Sequence, residues 1–256
     1  MPVWDPARYL QFADNRTRPF LDLIAQIPGD PSTIVDLGCG PGHLTGHLRT
    51  RWPAAHILGV DSSTEMITEA IRSNTDALAN YDVADVREWT PPQPVDLLIS
   101  NALLQWVPDQ FAVLDRLLTE VNPGGTVAIG VPNNASSATH TTLDDLASSP
   151  TYVSHLRHVR RLPSTTPMDY LEFFAERGFV VNTWETTYLH ILDGPDPVYG
   201  WISGTGARPF VQALPEDLAA QFVTDLKARL RAAYPARPWG TPLPFRRTFA
   251  VATAPG

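Results

Sequence analysis

The chain has 256 residues, 43% of them hydrophobic, and a formal net charge of −8 at pH 7. That length suits one well-cored domain with insertions rather than two full ones, and the acidic balance argues against nucleic acid as a partner, because phosphate binding needs a basic face. Its one cysteine, Cys39, rules out an intrachain disulfide; no apolar run reaches the ~20 residues of a membrane span, and no basic segment leads into an apolar one at the N-terminus. The expectation is a cytoplasmic protein, off the membrane and monomeric by default.

Strand-like and helical runs alternate up to residue 131. "TIVDLG" is a short apolar run ended by glycine, and "HLTGHLRTRW" follows as a helix. "HILGVD" is a second strand ending in an acid; "SSTEMITEAIRS" then opens with a capping box, Ser62 three residues ahead of Glu65. A third strand ends near "VADVREW". "VDLLIS" is nearly continuous in apolar residues, the pattern of a strand covered on both faces. "PDQFAVLDRLLTEV" is expected as a helix with Pro108 in its first turn, followed by the turn "NPGG" and the strand "TVAIGV". Repeated βαβ units imply a parallel sheet with right-handed crossovers.

Beyond residue 131 the rhythm breaks. Residues 132–166 are rich in Asn, Ser, Thr, His and Pro, with two short possible helices. "TPMDYLEFFAERG" reads as a helix with Pro167 at its start and Gly178 just past its end, and "FVVNTWETTYLHIL" as a long strand. Residues 194–243 form another insertion around a helix in which Leu218, Phe222, Leu226 and Leu230 recur on one face, and "FRRTFAVAT" is a final strand. The whole is expected to be one α/β domain, a Rossmann-like doubly wound sheet. Its core spans 31–131, a lid segment 1–30, and the insertions 132–166 and 194–243 roof the site.

The stretch "IVDLGCGPGH" fits a strand, a tight turn and the start of a helix. Glycines 38, 40 and 42 let the backbone turn and let a ligand approach without meeting a Cβ, at the crevice where doubly wound sheets bind ligands. A dinucleotide fingerprint needs G-x-G-x-x-G; here the third glycine comes one residue early, which places a dehydrogenase last among the readings. Asp36, just before the loop, suits a cationic amino acid group better than a pyrophosphate. Asp61 ends the second strand, where a carboxylate can take both ribose hydroxyls or serve the next helix start; Ser62 or Ser63 can cap that helix, which frees Asp61 for a ligand. Asp85 stands where it reads either as an adenine contact or as a plain surface turn. Asn101 is the fourth strand's crevice residue.

Together "VDLGCGPG", "GVDSS", "ADVREW" and "SNALLQWVPD" resemble the class I S-adenosylmethionine-dependent methyltransferases, with their seven-stranded core. "WDPARYLQFADNRTRPFLDLI", "WETTYLHIL", "WISGTGARPF" and "PFRRTFAVA" extend the resemblance, over nearly the whole chain, to the trans-aconitate methyltransferase family. The resemblance implies S-adenosyl-L-methionine as cofactor. It places Asp36, Gly38 and Gly40 around the methionine part, Asp61 with Ser62 at the ribose, Asp85 and Val86 at the adenine, Asn101 near the sulfonium and Trp106 at the substrate entrance. The implied product is a monomethyl ester of trans-aconitate or a close polycarboxylate.

A carboxylate acceptor is already ionised at neutral pH, its reference pKa being ~4, so no general base is required. What it needs is grip on its other carboxylates, best supplied by arginine. Tyr9, Arg16, Arg18, Trp106, Tyr188, His190, Trp201, Arg208 and Arg246 are the candidate substrate residues. Arg246 and Arg247 are adjacent in a strand, so at most one faces a given pocket. Methylation of a hydroxyl or a carbon acid is the alternative, with His190 or His140 as base; a binding-only role for the fold is less favoured. No Cys/His spacing indicates a metal site, and Cys39 reads as a small filler of the glycine turn.

Overall fold

The computed structural model describes residues 13–159 and 163–256, with side chains from residue 17 onward. Tyr9 and the side chain of Arg16 lie outside the described residues, as does much of the expected lid segment.

Seven strands form one sheet among the described residues: β1 (Thr33–Leu37), β2 (His56–Asp61), β3 (Ala79–Val83), β4 (Val95–Asn101), β5 (Val121–Pro132), β6 (Val180–Leu192) and β7 (Thr241–Thr253). Their order is β3-β2-β1-β4-β5-β7-β6. β1 to β5 pair in parallel, and β7 runs antiparallel to both of its neighbours. Strand order reverses between β1 and β4, which opens the ligand crevice of a doubly wound sheet at their carboxyl ends.

The helices sort by the face they cover. Alternation along the strands sends Val35, Leu37 and Leu98 to one face and Ile34, Leu97 and Ile99 to the other. The first face is covered by α4 (Gln110–Leu118) and α7 (Pro167–Ala175) through Leu114, Leu117, Tyr170 and Phe174. The second is covered by α1 (Ala13–Ala25) and α2 (Thr45–Arg51) through Phe20, Leu23, Ile24 and Leu48. α3 (Thr64–Ser73) buries Met66, Ile67 and Ala70. The two insertions share one apolar cluster, in which Leu143 and Leu146 of α5 (Ala138–Ala147) and Leu156 of α6 (Val153–Leu156) meet Trp201 of α8 (Pro197–Ser203), Phe210 of α9 (Arg208–Gln212) and Phe222 and Leu226 of α10 (Glu216–Ala233). None of the described helices is long and apolar enough to cross a membrane.

Two local expectations are corrected. The cap of α3 is Ser63, not Ser62: its hydroxyl accepts the Met66 N–H at 3.3 Å and donates to Glu65 at 2.8 Å. Asp61 takes the Ser63 N–H at 2.9 Å, which carries the chain one residue further before the helix begins. Pro108 is likewise outside α4, because Asp109 turns left-handed at φ 54° and the helix starts at Gln110.

The ribbon of β6 and β7 outruns the rest of the sheet. β5 stops at the pair Pro132–Arg247, while β6 and β7 stay paired as far as Leu192–Thr241. At about 3.3 Å per residue this extension projects roughly 20 Å past the carboxyl edge. It carries Tyr188, His190 and Phe245 beside the crevice and meets the insertion cluster at Leu192 and Leu243.

Tyr81 of β3 packs the glycine loop from behind. A Cβ on Gly59 would lie 2.6 Å from the Tyr81 ring and 2.9 Å from the Cys39 sulfur. Gly59→Ala is therefore expected to cost about 1–3 kcal/mol by overpacking, lowering Tm by several degrees at about 2–4 °C per kcal/mol for a chain of this size. Gly46, on α2 with nothing within 4 Å of where a Cβ would stand, is the control: Gly46→Ala should raise Tm slightly through the unfolded state. Thermal melts of both variants check the pair.

Candidate functional site

The loop after β1 folds back over the end of β2. Gly38 and Cys39 donate their N–H groups to the Val60 carbonyl at 2.7 and 3.1 Å, and Gly40 donates to Asp61 Oδ2 at 3.0 Å. The three glycines serve different ends. A Cβ at Gly38 would stand 2.7 Å from Leu103, and one at Gly42 would stand 3.0 Å from the Tyr81 hydroxyl, so both are closed by packing. Gly40, at φ +56°, has nothing within 4 Å of that position. It is the loop glycine that borders open space, and its positive φ favours glycine whatever fills that space.

Two carboxyl groups flank the loop, Asp36 in β1 before it and Asp61 at the end of β2, which takes the Gly40 N–H. Asp36 is 3% exposed, and burial followed by the nearby charge of Asp61 pushes its pKa up to about 7. Burial also raises Asp61, against hydrogen bonds from the N–H groups of Ser63, Gly40 and Ser62. A carboxylate has about four acceptor sites, so Asp61 keeps room for a further donor beyond the N–H groups of Gly40, Ser63 and Ser62. A loop flanked by two acceptor groups, one held near its titration point, fits a ligand that brings an ammonium group and a diol. S-adenosylmethionine has both.

The other cofactor-side residues are placed as follows. Ser62 is exposed beside Asp61. Asp85 accepts a bidentate pair from the Arg87 Nε and Nη2 groups, which lowers its pKa, and the Arg87 backbone N–H at 3.0 Å in a local turn. Val86 is buried in the core, and its carbonyl accepts from Arg116 at 2.7 Å. Asn101 ends β4, with its side chain accepting a hydrogen bond from Arg247. Directly after it Ala102 adopts φ 62°, a strained conformation for a residue with a Cβ. The chain then turns through a short 3-10 helix (Leu104–Trp106), on which Trp106 is 40% exposed.

A second cluster faces the crevice from the β6–β7 ribbon. Period-two alternation puts Trp184, Thr186, Tyr188 and His190 of β6 on one face with Phe249, Arg247, Phe245 and Leu243 of β7. Tyr188 and His190 stack at 6.4 Å, and His190 lies 4.6 Å from Trp201 and 5.9 Å from Phe245 between ring centroids. Arg18 of α1 sits with its guanidinium 5.4 Å from the Tyr188 ring centre, within the range of a cation–π contact. Arg247 is 5% exposed and also donates to the Gly130 carbonyl at 3.2 Å. Burial, and then the charges of Arg18 and Arg247, push the His190 pKa down to about 4.

Arg18, Tyr188, His190 and Trp201 are thus brought together, and two other candidates are not. Arg246 is on the opposite face of β7, hydrogen-bonded to the Ser136 hydroxyl and 3.9 Å from Glu185. Strand alternation gives the adjacent Arg247 the face of Tyr188 and His190. Arg208 opens α9, half-exposed, and joins none of these contacts among the described residues. Asp22, not anticipated from sequence, accepts the Tyr188 hydroxyl at 2.7 Å. Its signal was its place one helical turn after Arg18.

Residues 9–183 match the family model described as "Methyltransferase domain". The chain is 45% identical to the trans-aconitate 2-methyltransferase of Streptomyces coelicolor over 99% of its length and 88% of that protein. It is 44% identical to the trans-aconitate 2-methyltransferase of Streptomyces avermitilis over 98% and 97%. A solved structure of a putative methyltransferase from Bacillus halodurans, 13% identical, superposes with a TM-score of 0.58 over 93% of this chain and 98% of that one, a likeness of fold. The chain belongs to the methyltransferase-domain family and, within it, to the trans-aconitate 2-methyltransferases.

Proposed function

We propose that the chain transfers a methyl group from S-adenosylmethionine to a carboxylate of trans-aconitate or a close polycarboxylate, forming a monomethyl ester. One observation carries this reading: in a protein of net charge −8, two guanidiniums from distant parts of the chain converge on the buried His190. Such a local positive site suits an acceptor with several carboxylates. The names of the relatives support the same acceptor.

S-adenosylmethionine, when bound, supplies a methyl group activated on a sulfonium and leaves as S-adenosylhomocysteine. Asp36, Gly38, Gly40, Asp61 and Ser62 would hold its amino acid and ribose parts, with Val86 and Asp85 toward the adenine side and Asn101 at the crevice. Asp85 would have to share its carboxylate with Arg87 to serve there.

The acceptor needs orientation rather than deprotonation. A carboxylate of ordinary pKa, ~4, is ionised at neutral pH. Arg247 and Arg18 would bind the carboxylates that do not react, since the guanidinium fork matches them. His190 stays neutral above its pKa of about 4, so it can give a hydrogen bond and is a poor base. Trp201 and Phe245 wall the site with rings that exclude water. That favours a reaction in which opposite charges are neutralised. Methylation of a hydroxyl or carbon acid would need a base, and His190 is weakened for that role. His140 Nδ1 lies instead within 3.0–3.2 Å of the Thr139 and Ser137 hydroxyls at the start of α5.

Three measurements test the reading. With labelled S-adenosylmethionine and trans-aconitate, cis-aconitate, isocitrate and citrate offered in parallel, base-labile label should be strongest on trans-aconitate; label stable to base would point to another acceptor atom. Arg247→Ala should raise the KM for the acid roughly 10- to 100-fold, the worth of one charged hydrogen bond, with the Kd for S-adenosylhomocysteine little changed. Arg246→Ala should stay within about threefold of wild type, and the opposite ranking would remove Arg247 from the site.

The third concerns Asp36. Its folded pKa, about 7, is above the unfolded ~3.9, so its contribution to stability is fully present below pH 4 and is lost as pH rises through 7. A cation beside it favours the ionised form, so cofactor binding near pH 7 should release part of a proton from it. Calorimetry in buffers of different ionisation enthalpy should show more proton release for wild type than for Asp36→Asn; equal release would exclude Asp36 as the partner of the ammonium group.

A further inference from the structure

Arg18 and Asp22 are one turn apart on α1, the spacing at which opposite charges on a helix ordinarily pair. No ion pair joins them among the described residues. The Asp22 carboxylate instead accepts the Tyr188 hydroxyl at 2.7 Å, across 166 residues of sequence. The Arg18 guanidinium lies over the ring of that same tyrosine, 5.4 Å from its centre.

Tyr188 is well placed to hold both. It is 3% exposed, its ring is stacked on His190 at an interplanar angle of 9°, and burial together with the bond to Asp22 keeps its hydroxyl protonated. One side chain therefore occupies the acid and seats the base. Without the hydroxyl, Asp22 would be a buried-edge carboxylate with a free cation one turn away, and Arg18 would be drawn off the ring toward it.

We infer that Tyr188 is a positioning residue: by engaging Asp22 it keeps an internal carboxylate from competing with the substrate for Arg18. This rests on the acid-acceptor reading above and adds a selectivity device to it. Tyr188, expected from sequence to touch the substrate, acts through Arg18 instead. Asp22 is tolerated beside an anion site because its charge is already engaged.

The test is a rescue. Tyr188→Phe keeps the ring and removes the hydroxyl, freeing Asp22 to capture Arg18. It should raise the KM for trans-aconitate roughly three- to fivefold, the worth of a partly exposed ion pair, with kcat and the Kd for S-adenosylhomocysteine unchanged. Asp22→Asn alone still accepts the tyrosine hydroxyl and should behave like wild type. In the double variant the competing charge is gone, and the KM should return to within about twofold of wild type. A double variant as impaired as Tyr188→Phe, or more so, would overturn the inference, as would a Tyr188→Phe enzyme with an unaltered KM. Wild-type turnover of the acid is measured first: its absence would overturn the acid reading and this inference with it, whereas turnover without rescue overturns this inference alone.

Discussion

The register of the β6–β7 ribbon is the constraint on which the site depends. Once Trp184 pairs with Phe249 and Thr186 with Arg247, alternation leaves no freedom: Tyr188, His190, Phe245 and Arg247 share the face that α1 covers, and Arg246 turns the other way. A slip by one residue would invert every one of these assignments. The register is secured at its base by apolar packing, with Phe249 fully buried and stacked on Trp184 at 5.0 Å. The functional end of the ribbon, past the last residue of β5, inherits its geometry from that packed base.

The cofactor side depends on a different device. Tyr81 fills the space behind the glycine loop, its hydroxyl bonded to Thr45 at 3.0 Å, and the loop is pulled down by the bond from Gly40 to Asp61. Packing therefore accounts for Gly38, Gly42 and Gly59, and leaves Gly40 as the loop glycine with open space beside it. The two halves meet at Asn101, which belongs to the crevice by its place on β4 and to the ribbon through Arg247. Gly130 makes that meeting possible, since a Cβ there would press on the Asn101 amide oxygen at 3.1 Å and on the Phe249 ring at 3.2 Å.

Much of this was legible in the residues. The alternating apolar runs of the first half specify the parallel core, and the spacing of "DLGCGPG" separates the loop from a dinucleotide site. What was not legible is what depends on partners far apart in the chain. Ser63 rather than Ser62 caps α3 because Asp61 draws the backbone along, a tertiary effect on a local choice. Arg247 rather than Arg246 follows from which face of β7 the core selects, and the large residues Phe245 and Phe249 flanking Arg247 at alternate positions were the available signal. Arg208, attractive among its aromatic neighbours in sequence, opens a helix of the insertion cluster away from these contacts.

In the proposed reaction Arg18 and Arg247, on the Tyr188–His190 face, hold the acid while its remaining carboxylate faces the methyl donor. The most direct measurement is a crystal structure of the ternary complex with S-adenosylhomocysteine and trans-aconitate. Two carboxylates of the acid are expected within hydrogen-bond distance of these two guanidiniums, with the third directed at the sulfur. An acid bound instead against Arg246 and Ser136, or with neither Arg18 nor Arg247 in contact, would contradict that arrangement.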